Sequence, residues 1–181
     1  MKKIIILVAL AAAALVASPA TAKEGFYLGA FVPFNSISDD PLLSIDDGNG
    51  LGFRGGIGCN KYLALEASVF KTKHDVNGGG DVDLSGGTFD LKLDFPLTGS
   101  KIEPYLLIGV GRYELKGSSF DYKGDGSQIG FGLDMYLFPE LNFNAGLTWR
   151  RIFFDSGKTA ATGHRAIDVR TFDIGLTYHF L

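Results

Sequence analysis

A single cysteine, Cys59, excludes any intramolecular disulfide, and no Cys-x-x-Cys or Cys/His pairing marks a structural metal site. Positive charge is not in excess either. Lys+Arg 17 against Asp+Glu 20 gives a formal net charge of -3, which leaves nothing to neutralise a phosphate backbone and excludes nucleic acid as a partner. Proline is scarce at 6 residues. Glycine is not: 25 glycines are about twice the usual share, yet they show no triplet period and stand beside 15 Phe and 7 Tyr. That combination excludes collagen and disorder and points to a sheet in one domain of 181 residues.

No apolar run is long enough for a bilayer-spanning helix, which needs about 20 residues. The one that comes nearest, Ile4 to Val16, follows Lys2 and Lys3 and precedes Ser18-Pro19-Ala20-Thr21-Ala22, a small-residue Ala-x-Ala ending. This is the pattern of a secretory signal peptide. The sequence therefore divides into residues 1–22, a signal peptide cleaved after Ala22, and residues 23–181, the exported domain. Cys59 lies far from the junction, so no acylated N-terminal cysteine is expected.

From Phe26 to the end, apolar and other residues alternate with period two in eight segments, the signature of strands with two different faces. The fourth segment is the cleanest, with Phe89, Leu91, Leu93 and Phe95 separated by Asp90, Lys92 and Asp94. A helix would scatter these charges over every face. The fifth segment, Ile102 to Leu115, has two competing faces: Leu106, Ile108 and Val110 against Tyr105, Leu107 and Tyr113. Connections alternate in length. Long ones run Asn35 to Gly50, Lys71 to Gly86, Lys116 to Ser127 and Asp155 to Val169, and short ones lie at Cys59 to Lys61 and around Pro96 and Pro139. In an antiparallel meander this places every long loop at one end, which is the asymmetry of an outer-membrane barrel.

A soluble barrel would turn its apolar face inward. Here the apolar faces are continuous over four or five positions and carry rings near their ends, such as Phe26, Phe34, Phe89, Phe95 and Trp149, as interfacial girdles require. The opposite face combines glycine with Arg54, Glu66, Asp90, Lys92, Asp94, Asp134, Arg150 and Asp173, charges of both signs that can pair in a narrow lumen. Because a bilayer tolerates no open sheet edge, the strands must close on themselves. The expected fold is all-β, an eight-stranded antiparallel up-and-down transmembrane barrel.

The chain resembles the small eight-stranded outer-membrane barrels typified by the OmpA transmembrane domain. The residues that carry the resemblance are Gly25-Phe26-Tyr27-Leu28-Gly29-Ala30, Phe53-Arg54-Gly55-Gly56, Leu65-Glu66-Ala67, Pro104-Tyr105 and Gly175-Leu176-Thr177-Tyr178-His179-Phe180. The resemblance implies a Gram-negative outer-membrane location and contacts with outer-membrane lipid and lipopolysaccharide. It also implies assembly by the barrel-assembly machinery, which reads the aromatic ending Tyr178 and Phe180, although Leu181 follows here. It further implies pairing of Glu66 across the lumen with Arg54 or Arg150, as a structural network or a gate. No peptidoglycan-binding domain follows the barrel, so wall anchoring is not implied.

Catalysis has weak support. Ser156, His164 and Asp168 share a loop that does not by itself hold a triad, and no histidine has a serine two positions on, the pattern of barrel lipid A deacylases: Val76, Ala166 and Leu181 follow His74, His164 and His179. Glycine- and acid-rich stretches such as Asp46-Asp47-Gly48-Asn49-Gly50 match no calcium-loop spacing. The expectation is a monomeric, non-enzymatic protein without cofactor or metal, whose four extracellular loops meet an unidentified ligand. A small gated channel for ions or solutes is the alternative, and a lipid-modifying enzyme the second alternative.

Overall fold

A computed structural model describes residues 24–38, 45–76, 80–97, 100–118, 120–154 and 165–180. The proposed signal peptide, Leu181 and the loop residues Ser156 and His164 lie outside the described residues. Eight strands follow one another: β1 Gly25–Ser38, β2 Gly48–Asn60, β3 Leu63–Asp75, β4 Asp81–Asp94, β5 Ile102–Gly117, β6 Asp121–Phe138, β7 Leu141–Phe154 and β8 Arg165–Phe180. Each pairs antiparallel with the next, and β1 closes on β8 from Phe26↔Phe180 to Ser38↔Asp168, so the barrel leaves no free edge. Closure satisfies every ladder inside the sheet, as a hydrocarbon solvent demands.

The alternation read from the sequence sets the two faces. Phe26, Leu28, Phe53, Val69, Phe89, Ile108, Val110, Phe131, Trp149, Phe172 and Leu176 all point outward and stay exposed, with Phe26 at 67% and Val110 at 62%. A continuous apolar exterior of this extent is incompatible with water and fits a lipid-facing band about 25 Å tall. In β5 the outward face is Leu106, Ile108 and Val110, while Tyr105, Leu107 and Tyr113 are buried inside.

The strands reach beyond that band, and this shortens all four long loops expected from sequence: Asn35 to Ser38 belong to β1, Gly48 to Gly50 to β2 and Arg165 to Val169 to β8. β3 runs to Asp75 and β4 starts at Asp81, and β5 runs to Gly117 and β6 starts at Asp121. The reason is an inversion of polarity along each strand. Above the apolar band the outward residues become ionic: Lys71, Lys73, Asp81, Asp83, Arg112, Glu114, Lys123, Asp125, Arg151 and Asp168. At the same height the inward residues become apolar, and Phe70, Val82, Leu84, Tyr113, Leu115, Ile152, Phe154, Ile167 and Val169 form one buried cluster with Phe31. The extracellular half is thus built like a soluble barrel, greasy inside and charged outside, and the membrane half like its inverse.

Candidate functional site

The membrane half of the lumen holds all eight charges singled out from sequence, each no more than 8% exposed. Alternation places them: within one strand, Asp90, Lys92 and Asp94 are two residues apart and therefore share the inner face. They form three groups. Arg54 donates from Nη2 to Asp173 Oδ1 at 2.5 Å, and its Nη1 lies 3.9 Å from Glu66 Oε1. Glu66 accepts a second contact from the Tyr27 hydroxyl at 3.0 Å. Lys92 Nζ reaches Asp134 at 2.5 Å and Asp94 at 3.5 Å. Arg150 donates to Gln128 Oε1 at 2.7 Å and to the Thr171 hydroxyl, which donates in turn to Asn35.

Of the two arginines expected opposite Glu66, Arg54 is the one beside it. Arg150 donates to Gln128 and Thr171 instead. Asp90 accepts from Thr88 at 2.6 Å and Gln128 at 2.5 Å, while Lys92, two residues on along the same face, pairs with Asp134 and Asp94. The cause is register. Thr88 precedes Asp90 on the same face, and β6 carries Gln128 toward it, while Lys92 turns toward the opposite end and Asp134.

Each of the three buried cations also lies over an aromatic ring: Arg54 4.3 Å from Phe31, Lys92 4.5 Å from Tyr105 and Arg150 4.9 Å from Phe70. A ring face stabilises a desolvated cation by about 2 kcal/mol or more. These rings fit because glycines face them. A side chain at Gly52 would run into the Phe31 ring, at Gly56 into Tyr27, and at Gly132 or Gly146 into Tyr105. Rings and amides were the part of the site that charge alone did not reveal, although they occur in phase with the charges. Below the ion pairs, Asn144 donates to Thr177 at 2.9 Å and Asn142 meets His179 at 3.1 Å. Above them His74, 1% exposed, donates from Nδ1 to the Asp46 carbonyl at 3.0 Å and fastens the start of β2 to β3.

Outside the bilayer span, ion pairs ring the extracellular half. Lys71 meets Asp83 at 2.8 Å, Lys73 meets Asp81 at 2.5 Å, and Arg112 meets Asp125 at 2.9 Å. Arg151 holds Asp168 with two contacts of 2.8 Å. Donation to the Asp81 carboxylate raises the Lys73 ammonium above the usual lysine range, and the bonds from Arg151 hold the Asp168 carboxyl below the usual aspartate range. At the opposite end Tyr178 and Phe180 face outward with ring centroids 5.1 Å apart, and Phe180 pairs with Phe26 at the closing seam.

A closed antiparallel barrel with an apolar exterior and a paired ionic interior is an integral outer-membrane protein. The chain belongs to the outer membrane protein beta-barrel domain family, whose profile matches residues 5–180. Its fold is that of Neisserial surface protein A (NspA), with 17% identity over 90% of this chain and 100% of that one and a TM-score of 0.68. It is also similar to Ail, the attachment invasion locus protein of Yersinia pestis (16% identity, 87% and 99% covered, TM-score 0.59). OprG from Pseudomonas aeruginosa is a third such structure (20% identity, 87% and 97% covered, TM-score 0.54). At these identities the likeness is one of fold. Among curated proteins no sequence match is found.

Proposed function

We propose that this protein is a sealed outer-membrane barrel that presents its extracellular half as an interaction surface. The observation that carries the reading is the stacking of two plugs. In the membrane half, three ring-capped cations bind carboxylates and amides across the lumen; in the extracellular half, Leu84, Ile152 and Val169 at 0% exposure close the same axis with a dry core. Eight strands enclose only enough room for side chains. A second role of such a core is to hold strands rigidly above the lipid, where a ligand can reach them. Neighbours in fold lend support: one is a surface protein, and Ail has been solved with the heparin analogue sucrose octasulfate.

The reading includes no catalytic chemistry. It takes the chain as a monomer, exported after cleavage at Ala22, inserted by the barrel-assembly machinery through Tyr178 and Phe180, and surrounded by outer-membrane lipid and lipopolysaccharide. Its ligand is extracellular. Planar-bilayer recording on the refolded barrel tests the seal: electrical silence is expected, and steady conductance overturns it. A gated ion path is the second reading, favoured by one observation: the Arg54 guanidinium lies 2.5 Å from Asp173 but only 3.9 Å from Glu66, so it has two carboxylates to choose between. Conductance that changes on Glu66→Ala would establish that reading in place of the first.

A further inference from the structure

One polar row runs through the apolar core of the extracellular half. Arg150 donates to the Thr171 hydroxyl, Thr171 donates to Asn35 Oδ1 at 2.5 Å, and Asn35 Nδ2 donates to the Thr72 hydroxyl at 3.0 Å. Thr72 Oγ1 in turn lies 3.0 Å from His74 Nε2. Asn35, Thr72, His74 and Thr171 are all fully buried. Chemistry fixes the direction of the row, because a guanidinium only donates and a carbonyl only accepts. Arg150 therefore starts it. At the other end His74 Nδ1 must carry the proton that reaches the Asp46 carbonyl at 3.0 Å. Nε2 is then the acceptor for the Thr72 hydroxyl, and the imidazole is neutral.

The row ends at an irregularity. Between the pairs Ile45↔Val76 and Asn49↔Lys73, the chain leading into β2 carries one residue more than β3. Asp46 is fastened there from both sides: its N–H donates to the Asp75 carbonyl at 2.9 Å, and its own carbonyl accepts from His74. Gly48 lets the backbone lie on the ring, since a Cβ there would stand 2.5 Å from Nδ1. We propose that His74 is an acid-operated latch, in which proton uptake at Nε2 frees residues 45–48 from β3 while the barrel below stays closed. A protonated Nε2 no longer accepts from Thr72, whose hydroxyl proton has a second acceptor in the Leu84 carbonyl at 3.3 Å, so the row itself can re-sort. What the closed site lacks is a counter-charge. Val82 stands opposite the ring on β4, Asn35 and Thr72 are neutral, and the charge at the far end of the row is a second cation, Arg150. The acids nearby face the other way. Asp75 on β3 and Asp81 and Asp83 on β4 lie on the outer face, where Lys73 and Lys71 hold the latter two, and Asp46 and Asp47 are exposed. Burying an unpaired charge is costly. An imidazolium is therefore stabler in the opened segment, among water and carboxylates, than in the closed one.

The measurement is hydrogen exchange at the Asp46 amide of the whole refolded barrel in detergent micelles, corrected for intrinsic exchange, together with the imidazole nitrogen shifts of His74. At neutral pH those shifts are expected to report the tautomer protonated on Nδ1. The open segment takes up the proton and the closed one does not, so protection of Asp46 holds above about pH 6.5, the ordinary histidine value. Below it, protection is expected to fall by up to about tenfold per pH unit, the limit for one proton, while amides of the membrane half keep theirs. His74→Gln keeps a donor for Asp46 and has no proton to gain, so its protection should stay flat between about pH 7.5 and 5. Should that variant not refold, the wild-type slope and the tautomer decide. Flat protection in the wild type overturns the proposal, as does an imidazole that is protonated on Nε2 at neutral pH. The same acid slope in the wild type and His74→Gln also overturns it, and so does a loss of protection spread over the membrane strands, which is acid unfolding of the whole barrel. Neither conductance nor ligand binding enters the readout, so the latch and the seal are tested apart.

Discussion

Arg54 on β2 and Asp173 on β8 meet across β1 with Nη2 and Oδ1 2.5 Å apart, both nearly excluded from solvent. The pair ties together two strands that are not hydrogen-bonded to each other. Removing the cation alone leaves Asp173 buried without its partner and Glu66 without its nearest guanidinium. Arg54→Met is therefore expected to cost about 3–5 kcal/mol in urea unfolding from lipid vesicles. Replacing Asp173 by Leu in the same chain removes one of the two orphaned carboxylates, and the double variant should recover part of the loss, the remainder staying with Glu66. Equal stability of Arg54→Met and the wild type would show that the lumen is wet enough to solvate a free carboxylate.

The inversion of polarity along the strands predicts opposite responses at neighbouring heights. Leu84 is fully buried in the extracellular core, so Leu84→Ala should destabilise by about 2–5 kcal/mol. Leu106 lies on the same outward face two positions deeper than Val110, and Leu106→Arg should cost as much as about 2–4 kcal/mol, because a cation near the bilayer midplane loses its water. Six residues further along the same face Arg112→Val should cost little, since that position already lies above the hydrocarbon. Equal costs at both positions would displace the boundary drawn between Val110 and Arg112.

Residue type exposed the membrane half and hid the other. Where lipid lies outside, Phe89, Leu91 and Leu93 alternate with Asp90, Lys92 and Asp94, and the pattern names both the strand and the lumen charges. Where water lies outside, the same alternation continues with its faces exchanged: Lys71, Lys73 and Asp75 point out while Phe70, Thr72 and His74 point in. A search for one uninterrupted apolar face ends at that exchange and reads the remainder as loop. Partner choice was also beyond the pattern. Alternation says that Arg150 and Asp90 face inward, but the stagger between strands decides that Gln128 lies between them.

The lumen rings and their glycines make a paired prediction. Gly132→Val places a branched side chain against the ring and hydroxyl of Tyr105, in a site already packed, and should cost about 1–3 kcal/mol or more in the same unfolding assay. Tyr105→Ala in the same chain vacates that volume and should relieve part of the penalty, so the two changes are expected to be non-additive. Strict additivity would mean that Tyr105 does not occupy the space over Gly132.

Asp168 supplies the pH prediction. Two hydrogen bonds from Arg151 favour its carboxylate and depress its pKa, so the proton binds the unfolded chain before the folded one as pH falls. The pair's small stabilisation is then fully present above about pH 4, the ordinary aspartate range, and disappears as pH drops through the lower folded value. Carbonyl-resolved NMR in detergent micelles should find Asp168 titrating below the ordinary aspartate range. Arg151→Gln should return it upward toward the ordinary value while leaving the lumen network unchanged, because the pair lies on the outer face above the lipid. A titration of Asp168 that ignores the substitution would show that the guanidinium does not hold this carboxylate in solution.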